Sequence, residues 1–203
     1  MITLKDLKLK SVNTLLNKNT EDIVHSKQVT SLALEIFDVT KGILHNYGHI
    51  EREYLEFGAL LHDIGYIIAS SKHNKHSFDI IIRSHMEGFT EQELVFIGNI
   101  ARYHRGSIPK DKHKCYSQIV NKSEKYMVNV LSAFLRIADG LDRSHTSNIN
   151  SFDCVIDKLS QTCTFILHPR THYCSVELYG ANKKKELFEN LFNLTVRFKV
   201  QVL

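Results

Sequence analysis

The chain has 203 residues, of which 43% are hydrophobic and 24% charged, and a formal net charge of +4. That length buries a real core as one domain, or as one domain with a small appendage, and the composition is that of an ordinary globule rather than a disordered or fibrous chain. The mild positive charge accommodates a phosphate-bearing ligand but argues against nucleic acid, because the one basic run, Lys183–Lys185, reads as a solvated helix face.

No apolar run approaches the roughly 20 residues of a membrane span, so no membrane partner is expected. Cys115, Cys154, Cys163 and Cys174 form no Cys-x-x-Cys pair. With no secretory signal at the N-terminus, they are expected to be reduced thiols of a cytoplasmic protein.

In chain order, Leu4, Leu7, Val12, Leu15 and Leu16 carry an amphipathic helical spacing over residues 3–18. Thr20 is the expected N-cap of the next helix, with Glu21 and Asp22 in its first turn. There His25, Val29, Leu32 and Ile36 share one stripe, so His25 faces inward. A third helix is predicted over residues 50–64, with Tyr54, Gly58, Leu61 and His62 inward and Gly65 at its end. A polar connection follows over 66–75, and an apolar pattern opens at His76. Thr90-Glu91-Gln92-Glu93 is a capping box. The helix it starts places Leu94, Ile97, Ala101 and His104 on one face. Residues 106–115 read as a loop. A helix over about 125–142 buries Val128, Leu131, Leu135 and Ala138, with Arg136, Asp139 and Arg143 on neighbouring turns. After residue 150 the character changes. Phe152–Ile156, Cys163–Leu167 and Cys174–Leu178 read as strands, followed by a charged helix over 182–193 and a last strand, Thr195–Val202. The expected class is mainly α: a helical body over 1–149 with a small β-rich C-terminal appendage over 150–203.

The stretch Ala59-Leu60-Leu61-His62-Asp63-Ile64-Gly65-Tyr66 puts a His-Asp pair at the end of an apolar run. Aspartate is rarely buried unless it is paired or metal-bound. Taken alone, the pair fits either a metal ligand set or a helix-end Asp beside a satisfied core His. The other polar residues on inward stripes favour metal: His25, His62, Asp63, His76, His104 and Asp139. His73, three residues before His76, is the alternative at that position, and His76 is preferred because the apolar pattern begins there. His45, His49, His85, His113 and His145 read as surface or loop residues.

The order His, His-Asp, His, His, Asp resembles the HD superfamily of metal phosphohydrolases, and His62-Asp63-Ile64-Gly65 resembles its HDIG variety. Leu60–Tyr66, Lys75-His76-Ser77, Ile100–Arg105 and Arg136–His145 resemble, across nearly the whole chain, the C-terminal HD domain of the exopolyphosphatase/guanosine pentaphosphate phosphohydrolase family. That resemblance implies an HD-domain helical bundle and one or two divalent metals (Mn, Fe, Ni, Zn, Co or Mg). His25, His62, Asp63 and Asp139 would hold the first, and Asp63 would bridge to a second on His76 and His104. It implies hydrolysis of a nucleotide, an alarmone or a polyphosphate-type substrate, with His62 and Asp63 at the reacting centre. Arg105, Arg143 and Lys75 are the expected phosphate-binding residues. The actin-like domains in which that family places exopolyphosphatase catalysis have no counterpart in the sequence, so that activity is not implied. The rival expectation is therefore a non-catalytic module that binds polyphosphate or a nucleotide. The same ligand order also serves mixed-valent di-iron oxygenases. A homodimer is expected only because apolar strand edges need covering.

Overall fold

The computed structural model describes residues 3–19 and 23–201. Among the described residues there are eight α-helices and one three-stranded sheet. In order they are α1 (Leu4–Leu16), α2 (Ile23–Thr40), α3 (His49–Leu60), α4 (His73–Arg83), α5 (Glu91–Arg102), α6 (Lys122–Leu141), β1 (Ile149–Asp157), β2 (Thr162–Pro169), α7 (Ser175–Lys184), α8 (Glu186–Phe192) and β3 (Thr195–Val200). The cap expected at Thr20, with Glu21 and Asp22, lies outside the described residues.

Local chemistry accounts for the helix starts. Thr90 Oγ1 accepts from Glu93 N at 3.2 Å, and Thr90 N donates to Glu93 Oε2 at 2.8 Å, so α5 begins with two satisfied amides. Asn121 caps α6 in the same spirit, accepting from Ser123 N. From Met127 to Leu141, three-quarters of its length, α6 is buried almost all round, which marks it as the central helix of the body. α2, α5, α7 and α8 all pack against it.

β1 and β2 form an antiparallel pair with Cys154 opposite Phe165, and β3 adds to β2 in parallel with Phe198 opposite Phe165. A parallel neighbour needs a crossover, and α7 and α8 supply it. The sheet is not separate from the helices. Phe165 of β2 meets Phe188 of α8, which meets Phe134 of α6, at ring separations of 6.1 and 5.9 Å. One hydrophobic core thus runs from α2 to β3.

Two expectations need correction. Cys174–Leu178 is not a strand: the first turns of α7 occupy it, and the third strand of the sheet is β3. The single charged helix expected over 182–193 is two, α7 and α8, divided at Lys185. The reason is packing. A Cβ on Gly180 would lie 2.4 Å from the Gly140 carbonyl oxygen, and one on Gly140 would lie 2.7 Å from the Ala181 backbone. Two glycines let α7 approach α6 this closely.

No helix among the described residues is long and apolar enough to cross a membrane.

The close approach makes a prediction. Gly140→Val should destabilise the fold by about 1–3 kcal/mol, the cost of forcing volume into a packed interface. Urea denaturation monitored by circular dichroism measures it, and a midpoint equal to wild type would show that α6 and α7 are not clamped here.

Candidate metal centre

The polar centre lies where several elements end. α2 supplies His25, the turn after α3 supplies His62 and Asp63, α4 opens with His73, the turn after α5 supplies His104, and α6 supplies Asp139, with Asp142 as its C-cap. α3 stops at Leu60 instead of continuing to residue 64 as expected. Carbonyls at and just beyond its end are taken by side chains: Ala59 O accepts from His62 Nδ1, His62 O from Ser77 Oγ, and Asp63 O from Asn19 Nδ2. The chain tightens instead into a short 3₁₀ helix, Ile64–Ile67. Ser77 Oγ also accepts from Gly65 N at 2.9 Å, tying this turn to α4. Gly65 is required there, because a Cβ would lie 2.0 Å from His73 O.

Three of the four clustered imidazoles are oriented by the same device. His62 Nδ1 donates to Ala59 O at 2.7 Å, His104 Nδ1 to Ala101 O at 2.7 Å, and His73 Nδ1 to Ser70 O at 3.0 Å. A carbonyl oxygen only accepts, so each Nδ1 carries a proton and each ring turns Nε2 inward. His25 is set by a different partner. Its Nδ1 lies 2.8 Å from Oδ2 of Asp142, whose other oxygen accepts from Ser147 N.

The Nε2 atoms converge on two carboxylates. Asp63 Oδ2 lies 3.3 Å from His62 Nε2 and 3.8 Å from His25 Nε2, while its Oδ1 lies 3.2 Å from His73 Nε2 and 3.5 Å from His104 Nε2. Asp139 Oδ1 is 3.5 Å from His25 Nε2. The ligand atoms of His25, His62 and Asp63, of His62, His104 and Asp139, and of Asp63, His73 and His104 each lie within 4.8 Å of one another. His25 Nε2, His62 Nε2 and Asp63 Oδ1 are buried and accept no hydrogen bond. Buried polar atoms are rarely left so, and ligand-bearing rings held from behind are how metal sites are built. These residues could hold one or two divalent cations.

Burial pushes the His104 imidazole well below its ordinary pKa, outweighing the Asp63 carboxylate, so the ring is neutral. Burial would by itself raise Asp63, but His62, His73 and His104 outweigh it and hold the carboxyl well below the usual range.

Above the cluster opens a cavity of about 310 Å³ walled by Arg105, Arg136, Arg143, Lys183, Lys184 and His145. Arg136 is buried, donating to Tyr103 O and Gly106 O. Lys184 Nζ contacts Asp139 Oδ2, and burial, reinforced by Arg136, pushes its ammonium pKa down to about 7. Tyr66 stacks on His73 and His145 on His25, at ring separations of 4.0 and 3.7 Å.

Residues 7–187 match the family model described as Ppx/GppA phosphatase, domain III. The chain belongs to the Ppx/GppA phosphatase family. The resemblance drawn from the HDIG stretch and the downstream motifs therefore holds over most of the length, and the matched region of this Ppx/GppA domain includes every clustered group described above.

Of the residues singled out in sequence, His25, His62, Asp63, His104 and Asp139 come together. His76 does not. α4 begins at His73 rather than at residue 76, and it is His73 that meets Asp63 and His104, while His76 sits one turn along, half-buried and in none of the three groups. Arg105 and Arg143 line the cavity; Lys75 is exposed on α4 and does not. Asp142, Arg136, Lys183, Lys184 and His145 were not anticipated as part of the site. Asp142 falls one turn after Asp139 on the same buried helix, a signal the sequence did carry. The lysines reach the site across 45 residues, and no local pattern announces that.

Because Asp142 fixes the His25 ring from behind, Asp142→Leu should weaken manganese or zinc affinity by about 10–100-fold while leaving the helical content intact. Titration calorimetry reads this, and unchanged affinity would remove Asp142 from the support of the centre.

Proposed function

We propose that this chain is a divalent-metal-dependent phosphohydrolase acting on a nucleotide, alarmone or polyphosphate-type substrate. One juxtaposition carries the reading: lone pairs and carboxylates suited to cations form the floor of a cavity whose walls hold Arg105, Arg136, Arg143, Lys183 and Lys184. Such a wall matches a multiply charged anion, and membership of a phosphatase family supports phosphate as that anion.

His25, His62, Asp63 and Asp139 would hold one cation, and Asp63, His73 and His104 a second. The two oxygens of Asp63 face different histidine pairs, which suits a bridging role. An imidazole-rich set of this kind fits Mn, Fe, Co, Ni or Zn better than Mg, which prefers oxygen ligands. When bound, such cations polarise a phosphoryl oxygen and make water more acidic, so that water can cleave a phosphoester or phosphoanhydride bond near neutral pH. The residues of the chain do the rest. The inward Nε2 atoms supply the donor lone pairs, and the ionised Asp63 offsets the cations. Arg105 and Arg143, exposed on the rim, neutralise the phosphate as it enters. The buried Arg136 guanidinium, fastened to two carbonyls, contributes a fixed positive field that needs no reorganisation when substrate binds.

Two measurements test this. Manganese-loaded protein should release phosphate or nucleotide from a panel of polyphosphate, guanosine tetra- and pentaphosphate, nucleoside phosphates and cyclic nucleotides, and His62→Ala should abolish that turnover. Metal-loaded protein that retains one of these compounds without turning it over would instead identify a binding module. Arg143→Ala should weaken phosphate affinity by about tenfold, as expected for loss of one charge-assisted hydrogen bond, with metal content unchanged by elemental analysis; equal affinity would take Arg143 out of the site.

A further inference from the structure

α7 belongs to the C-terminal segment, after β2, yet its last two residues line the cavity. The Gly140–Gly180 contact places α7 directly against the turn of α6 that carries Asp139. Lys184, the final residue of α7, then runs inward rather than into solvent. Its side chain is 14% exposed and its ammonium rests on Oδ2 of Asp139, itself 11% exposed. The same carboxylate faces His25 through Oδ1 at 3.5 Å and His104 through Oδ2 at 4.0 Å. An atom that a cation would need from Asp139 is therefore already held by a charged group of the protein. Arg136 and Arg105 stand near that ammonium, and Asp63 is the other carboxylate that acts on it.

We infer that Lys184 is a tethered counter-ion of Asp139, which an incoming divalent cation displaces and which then joins the phosphate-binding wall of the cavity. The inference rests on the metal-centre reading given above and assigns that site a form of regulation. Lifted from Asp139, the ammonium faces a cation and two guanidinium groups, with Asp63 itself committed to the cation, and an incoming anion relieves the repulsion. Metal and phosphate must then favour each other's binding, with Lys184 as the coupling element. The C-terminal segment is thus a working part of the site.

The test is calorimetric and needs no turnover. Lys184→Met should bind manganese about tenfold more tightly than wild type, a difference of about 1.4 kcal/mol. The manganese-loaded variant should bind inorganic phosphate about tenfold more weakly. Lys184→Arg, which keeps the charge, should restore both values towards wild type, an outcome that loss of packing alone would not give. Should Lys184→Met fail to fold by circular dichroism, Lys184→Gln replaces it as the uncharged variant. Equal manganese affinity in wild type and the uncharged variant would overturn the inference while leaving the metal centre in place. No manganese binding by either protein would remove the metal centre itself, and the inference with it.

Discussion

A carboxylate kept ionised in the middle of a helical body is costly, because burial takes from it the water that stabilises its charge. Asp63 is in that position, and much of the molecule can be understood as the arrangement that makes it tolerable. Four Nε2 atoms face it, two at each oxygen. None of those rings carries a fixed positive charge of the kind a lysine or arginine would provide. Inward lone pairs do not offset the carboxylate's charge, which is why a cation is the natural occupant of the space between them. The helix ends follow from the same constraint. α3 must stop at Leu60 and α5 at Arg102, since continuing either would carry its histidine past the centre.

Charge of the opposite sign is brought in from elsewhere. Arg136 comes from the buried face of α6, Arg105 from the turn after α5 and Lys184 from the end of α7. The segment after residue 150 therefore does more than extend the fold. Its aromatic side chains continue the core of the helical body through Phe165 and Phe188, and the glycine contact between α6 and α7 fixes where its final lysine sits. Packing and chemistry share one interface.

Much of this was legible in the sequence. The helical phase put His25, His62, His104 and Asp139 on inward stripes, because the 3.6-residue period leaves few places for a polar residue surrounded by apolar ones to point. The capping box at Thr90 and Glu93 fixed the start of α5, and all its bonds span three residues. What failed was either a question of onset or a question of distance. His76 was preferred over His73 because the apolar pattern begins there, whereas the helix begins at the residue whose ring is tied back to Ser70. Cys174–Leu178 alternates like a strand, but it opens α7, which packs on α6 through Gly140 and Gly180, forty residues apart in sequence. Lys183–Lys185 reads as a solvated basic run, and only the fold turns Lys184 inward while Lys183 stays exposed.

The repeated loop from a histidine ring to the carbonyl three residues before it has an architectural consequence. His62, His73 and His104 each carry their own alignment within a tetrapeptide, so their ring planes and tautomers are set by short-range geometry rather than by the arrival of a distant partner. Their inward lone pairs are a local property of the chain. His25 is the exception, since its alignment waits on Asp142, 117 residues away. The centre is in that sense hierarchical: three corners are prefabricated, and the fourth is completed only when α2 and α6 have met.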